Sequence, residues 1–301
     1  MKSCLFSVSY AGLWGQAVDP LPAFIERAAR LGYASVMLMG KRPHLSPLDA
    51  AGERLEAVRA VLQKTGVRCD VVAGYTHLAP STAAAEVPVI ELQIVYVESL
   101  ARIGAALGAR IVRVFTAYET PGQDLQAGWQ RAVTTLREMC DRVAPLGATL
   151  ALQNHHDIGL HTDSLLDLLA EVDRPNCKLG FDAWSPALRG EDLYAAAHKA
   201  APHTAITTNA DYLRVPRWRY RPELVNYERQ SPDWVRAVEF GRGFIDYEAF
   251  FRGLREGGFA GPAVYEMCSP IAGGGAAENL DAKARAYLAW LRERQLIAPA
   301  P

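Results

Sequence analysis

Four short apolar runs in the second half of the chain each end on a side chain that carries oxygen. Leu150-Ala151-Leu152 leads to Gln153, Leu179-Gly180-Phe181 to Asp182, the run from Thr204 to Asn209, and Val264-Tyr265 to Glu266. Two carboxylates and two amide oxygens brought together would suit a hard divalent cation, Mn²⁺ or Mg²⁺ first, with Zn²⁺ or Co²⁺ next. His155 and His156 follow Gln153 directly. Imidazoles there are expected to act as ligands, proton-transfer groups or substrate contacts. Any one of these residues also fits an ordinary solvated or hydrogen-bonded position, and it is their convergence that points to chemistry.

Convergence requires a scaffold, and the rest of the chain predicts one. Short apolar runs alternate with amphipathic segments from end to end, without a Ser/Gly-rich linker. Strands are expected at 4–10, 35–39, 68–74, 110–116, 149–154, 177–182, 204–209 and 263–267. Helices are expected at 21–31, 51–64, 90–107, 125–144, 164–171, 192–200, 247–256 and 279–292. Eight strand-helix units in one chain of this size predict a single (β/α)8 TIM barrel spanning 1–301. Gly32, Gly108, Gly147 and Gly258 each stand between a helix and the next strand, where a left-handed cap is expected. A doubly wound sheet is the alternative, but no Gly-x-Gly-x-x-Gly follows the first strand.

In a TIM barrel the chemistry sits at the C-terminal strand ends. The period of two turns Leu150 and Leu152 to the helices and Gln153 and His155 to the lumen. It turns Asp182 inward, and it groups Glu266 with Val264 and Cys268. In the seventh strand, Ile206 is assigned to the helix side, which turns Thr207 and Asn209 inward with Asp211 just beyond. A long loop, 213–245, then follows. It carries seven arginines, with Trp218, Tyr220, Tyr227 and Trp234 among them. Arg214 and Arg217 lie nearest the strand end and are expected to hold an anionic or glycosidic part of a substrate, the loop acting as a lid. The alternative is that the loop packs on its own barrel or on a second subunit of a homo-oligomer.

Composition narrows the field. Half of the 301 residues are hydrophobic, and 32 basic side chains nearly balance 33 acidic ones. That is a soluble composition without general attraction for nucleic acid or anionic membranes. Five widely spaced cysteines without a Cys-x-x-Cys pair suggest neither disulfides nor a thiolate zinc site. The N-terminal apolar run is broken by Ser7, Ser9 and Gly12 and reads as a strand rather than a leader, so the expected compartment is the cytoplasm.

Several segments resemble the xylose isomerase-like barrels, the sugar phosphate isomerase/epimerase family that includes ketose 3-epimerases. They are Glu91-Leu92-Gln93-Ile94-Val95-Tyr96-Val97-Glu98 leading into Leu107-Gly108-Ala109-Arg110-Ile111-Val112-Arg113-Val114, then Gln153-Asn154-His155-His156-Asp157 and Gly180-Phe181-Asp182. The most specific is Gly258-Phe259-Ala260-Gly261 before Tyr265-Glu266-Met267-Cys268-Ser269-Pro270.

The resemblance implies a carbohydrate-like substrate, and a metal held by Glu, Asp, His and Glu from strands five to eight, the glutamates also moving the proton. Asp182 and Glu266 carry over. Gln153 stands in the first Glu position, and Thr208 or Asn209 where His is usual, with Asp211 retaining the acid that follows. Glutamine cannot accept a proton, so a two-glutamate shuttle is lost. What remains is removal of a proton alpha to a carbonyl by Glu266 or by His155 or His156, giving isomerisation or epimerisation. The alternatives are β-elimination on a keto-glycoside and a non-catalytic sugar-binding barrel. On the same rim the resemblance places His77 and Glu119 as substrate contacts. The related base-excision nucleases bind three zinc ions through many histidines, and this chain has only seven.

Overall fold

A computed structural model describes residues 1–80 and 86–298. Eight parallel strands close into a barrel: β1 (Lys2–Phe6), β2 (Ser35–Met39), β3 (Arg68–Ala73), β4 (Ile111–Phe115), β5 (Thr149–Gln153), β6 (Cys177–Gly180), β7 (Thr204–Asn209) and β10 (Pro262–Tyr265). Around it lie α1 (Leu21–Leu31), α2 (Gly52–Thr65), α3 (Val89–Ala106), α4 (Leu125–Val143), α5 (Thr162–Val172), α7 (Leu193–Ala200), α8 (Tyr247–Glu256) and α9 (Ala277–Glu293), with a short α6 (Trp184–Arg189) directly after β6. The eight expected strands and eight expected helices are all present. No helix among the described residues is long and apolar enough to cross a membrane.

The chain reverses from helix to strand where the sequence places glycine. Gly32 takes φ 88°, and its N–H closes α1 on the carbonyls of Ala28 and Ala29, a conformation that would strain a residue with a Cβ. At the other helix ends, Asp124, Asp192 and Asp246 accept N–H groups of the first turns of α4, α7 and α8.

Strand alternation sorts the core into two layers. Val112, Val114, Leu150, Leu152 and Leu179 pack between barrel and helices. Phe6, Met37, Met39, Val71, Ala151 and Val264 fill the lumen.

Three expectations are corrected. The first strand ends at Phe6, and a 3-10 turn, Ser7–Tyr10, follows. There the hydroxyls of Ser7 and Ser9 accept the N–H groups of Met39 and Met267, in place of strand carbonyls.

The phase of β7 is the reverse of that expected. Ile206 belongs to the lumen cluster, so Thr208 points inward, while the Asn209 amide donates to the Val264 carbonyl and the Tyr287 hydroxyl. Ile206 is the one large apolar residue of Thr204-Ala205-Ile206-Thr207-Thr208-Asn209, and the lumen takes it. The register shift between β6 and β7 belongs to the same irregularity.

The third correction concerns 213–245, most of which is an antiparallel hairpin of β8 (Asp211–Arg221) and β9 (Asn226–Val238). Its foot is tied by one carboxylate: Asp211 accepts the N–H groups of Tyr212, Gly241 and Gly243 at 2.9, 3.0 and 2.7 Å. Glycine is required at 243, where a Cβ would stand 1.9 Å from Asp211 Oδ1.

Candidate active site

The C-terminal mouth of the barrel holds a cavity of about 110 Å³, walled in part by His155, Asp182, Thr208, Glu266, Trp184 and Tyr212. β5 presents Gln153 at its end. Its Nε2 donates to Asp182 Oδ2 and to the Thr208 hydroxyl, both at 2.9 Å. Asp182 is 4% exposed. Its Oδ1 accepts the N–H groups of Trp184 and Ser185 at the start of α6, and Asn154 clamps its backbone from both sides. Glu266 follows β10, with the Cys268 thiol 3.4 Å from its Oε1.

Burial sets the charge states. It pushes the Asp182 carboxyl up to about 7, against the Gln153 and backbone hydrogen bonds that favour the anion, and the Glu266 charge adds to the rise. Burial raises Glu266 as well, while the Arg113 charge opposes that shift. His155 is driven down to about 4 by burial and then by Arg113, and His156 to about 3 by burial, then by competition with His155 for a proton and by the Arg113 charge, so both are neutral at pH 7. His155 Nδ1 accepts the His156 backbone N–H at 2.9 Å, which places the ring proton on Nε2. His156 takes φ 74° and stacks on Tyr118, with ring centroids 3.8 Å apart.

The other expected contacts stand elsewhere. Asn209 lies in the helix layer rather than the lumen, because the phase of β7 is reversed. Asp211 is engaged in tying the hairpin foot, the geometry that a tight strand reversal needs. The Arg214 guanidinium lies 4.5 Å over the Phe244 ring, and Arg217 donates to the Pro232 carbonyl; both are exposed and outside the cavity wall, since the hairpin carries them outward. The hairpin reaches the cavity through Tyr212 and Val235 instead. His77 is half-buried on the rim, where its Nδ1 accepts the Tyr118 N–H. Glu119 is exposed, and its backbone N–H is held by Asp157.

Of the two residues expected where the resemblance puts His, Thr208 and Asn209, the phase of β7 turns Thr208 to the cavity. One residue near the mouth was not among those expected. Arg113 lies in the middle of β4, 1% exposed. Its signal was a charged residue inside Ile111-Val112-Arg113-Val114-Phe115, a strand otherwise built for burial.

The side chains as placed do not fit a resident divalent cation. Gln153 turns N–H donors, not oxygen, toward Asp182 and Thr208. Asp182 already accepts three hydrogen bonds. Among the described residues no three His, Cys, Asp or Glu side chains are gathered to hold a metal ion. What the mouth gathers instead is two carboxyls of raised affinity for protons, Asp182 buried and Glu266 partly so, beside a neutral imidazole.

Fold and mouth together define a (β/α)8 barrel with paired carboxyls at the C-terminal strand ends. The profile of the family described as Xylose isomerase-like TIM barrel matches residues 25–294, and the chain belongs to that family. No curated protein matches it.

Among solved structures, a D-allulose 3-epimerase from Methylomonas sp. superposes with a TM-score of 0.75 at 17% identity, over 98% of each chain. A probable 3-DHS dehydratase from Bacillus anthracis gives 0.73 at 18%, over 98% of this chain and 100% of that one. A 3-keto-D-glucoside 4-epimerase from E. coli gives 0.69 at 18%, over 91% and 94%. At these identities the likeness establishes the fold.

Proposed function

We propose that the protein is an enzyme of the sugar isomerase/epimerase type, moving a proton at the carbon beside a carbonyl of a carbohydrate-derived substrate. The observation that carries this reading is the single cavity onto which Asp182, Glu266 and His155 all open. Glu266 takes the proton from carbon. His155, neutral with its proton on Nε2, donates to the carbonyl oxygen where charge develops. Asp182, poised near neutrality, is the second group able to hold or return a proton. The names of the structural relatives are consistent with this chemistry, since a 4-epimerase of a 3-keto-glucoside works at the carbon next to the keto group.

Incubation in D₂O with ketohexoses, 3-keto-glucosides and keto acids, followed by NMR, tests the reading. Wild type is expected to exchange one carbon-bound hydrogen of its substrate, and Glu266→Gln to lower that rate by about 10²–10⁴-fold. Absence of exchange across the panel, with the protein folded, would sink it. A second reading, β-elimination with His155 protonating the leaving oxygen, is supported by the likeness to a dehydratase. It predicts an unsaturated carbonyl absorbance in the same incubations.

A further inference from the structure

Arg113 is the largest fully buried side chain among the described residues. Its register partners on the flanking strands are Ala73 and Ala151, whose short side chains leave this part of the lumen to the guanidinium. Arg113 Cζ lies 3.9 Å from the centroid of Phe115, 4.9 Å from that of Tyr75 and 5.7 Å from that of Phe6. Nε and Nη1 are buried without a hydrogen-bond partner, and the buried Tyr75 hydroxyl lacks one too. Lys41 adds a second cation, its Nζ 4.0 Å from the Tyr75 centroid. Burial and then the Arg113 charge hold that ammonium below its ordinary value. Among the described residues Arg113 forms no ion pair within 4.0 Å, and residues 81–85, Ser-Thr-Ala-Ala-Ala, bring no acid by sequence.

Aromatic faces offset part of the cost of such a charge. They cannot satisfy N–H and O–H donors, and an unmet buried donor is costly, the more so when it is charged. The cluster therefore has the donors and the charge of an anion site; the Glu266 carboxyl feels the Arg113 charge but forms no ion pair or hydrogen bond with it. It adjoins the cavity: the Phe115 ring that covers the guanidinium also lies 4.9 Å from the His155 ring, centroid to centroid, and His155 walls the cavity.

We propose that Arg113, Tyr75 and Lys41 form an anion subsite at the barrel mouth, and that the substrate is a carbohydrate-derived acid whose carboxylate sits there while its carbon chain reaches Glu266 and Asp182. The inference rests on the proton-transfer reading and names the substrate class for it. A planar guanidinium pairs with a carboxylate through parallel hydrogen bonds. A phosphate ester shares that chemistry, so the test separates the two.

Isothermal titration calorimetry of the full chain with D-gluconate, D-glucitol and D-glucitol 6-phosphate compares one carbon skeleton bearing a carboxylate, no charge or a phosphate. Gluconate is expected to bind at least about tenfold more tightly than glucitol, and Arg113→Met to erase that difference while leaving glucitol unchanged. Arg113→Lys should retain part of it. If Arg113→Met does not fold, Tyr75→Phe and Lys41→Met carry the test, each weakening gluconate about threefold or more with glucitol unmoved. Tighter binding of the phosphate ester, lost in Arg113→Met, overturns the carboxylate in favour of a phosphate. Equal affinity for gluconate and glucitol, discrimination that survives Arg113→Met, or no binding of either anion overturns the subsite.

The two readings fail separately. Hydrogen exchange by wild type on some member of the panel, together with equal affinity for gluconate and glucitol, keeps the proton transfer and removes the subsite. Arg113-dependent gluconate binding without exchange on any substrate does the opposite.

Discussion

Replacing Asp182 with Asn removes a proton-binding group while keeping its shape, and its effect on stability should depend on pH in a calculable way. Asn Oδ1 can still accept the N–H groups of Trp184 and Ser185. The native carboxyl titrates at about 7, above the 3.8 of an ordinary aspartate, so folding favours its protonated form. That contribution is complete below the unfolded value and is lost as pH rises through the folded one. Between pH 5 and pH 8 linkage gives a loss of about 2.6 kcal/mol. With an unfolding entropy of about 2.1 cal/mol/K per residue over 301 residues, this corresponds to roughly 4 °C in Tm. His155 and His156, whose folded values are depressed, act in the opposite sense over the same range, losing stability as pH falls below about 6.5. Both proteins keep those histidines, so the difference between their curves isolates Asp182. Differential scanning calorimetry of chelator-treated wild type and Asp182→Asn at pH 5, 6, 7 and 8 is the assay. Wild type should lose about 4 °C relative to the variant across that range. Parallel Tm curves would refute a buried carboxyl of raised proton affinity.

Gln153→Glu sets a carboxylate where an amide N–H now lies 2.9 Å from Asp182 Oδ2. The metal-free variant should lose about 2–4 kcal/mol at pH 8 and recover it with Mn²⁺, whereas Mn²⁺ should leave wild-type Tm unchanged within about 1 °C; stoichiometric metal in purified wild type would refute the fit argument. Asp173 caps α5 at φ 47°, exposed, with its negative charge at a helix C-terminus. Asp173→Gly should therefore raise stability in urea unfolding by about 0.5–1 kcal/mol. Joining Arg217 to Gln230, which face each other in the hairpin, through an Asn-Gly turn removes Trp218 to Arg229. Tm should move by less than about 2 °C, because the removed residues are mostly exposed, and unchanged turnover would exclude a lid.

The barrel was legible because each βα unit repeats the same physical statement, an apolar run, a turn and an amphipathic stripe, and most of them close on a glycine. Asp182, Glu266, Gln153 and His155 were legible for a related reason, since large apolar neighbours fix which side of a strand each must face. β7 lacks such neighbours. With one isoleucine among threonines, its phase was decided by the packing of the lumen, so Thr208 rather than Asn209 faces in. The hairpin was hidden because β8 and β9 are exposed over most of their length and bear arginine and aromatic residues without a buried stripe. Arg113 was readable as an anomaly but not as a site, because the small partners that make room for it, Ala73 and Ala151, lie on other strands.

The tie at Asp211 has a consequence for how this mouth can vary. One side chain receives the N–H groups that start the hairpin and those that end it, so the excursion leaves and rejoins the barrel at a single closed point. Once a loop's ends are pinned, added length carries only a slowly growing entropic cost. The exposed part between Arg217 and Gln230 can then lengthen, shorten or be recomposed without loading the eight strands. The barrel thus carries an outgrowth that touches the cavity only near its base, through Tyr212 and Val235, and whose outer part is free to change.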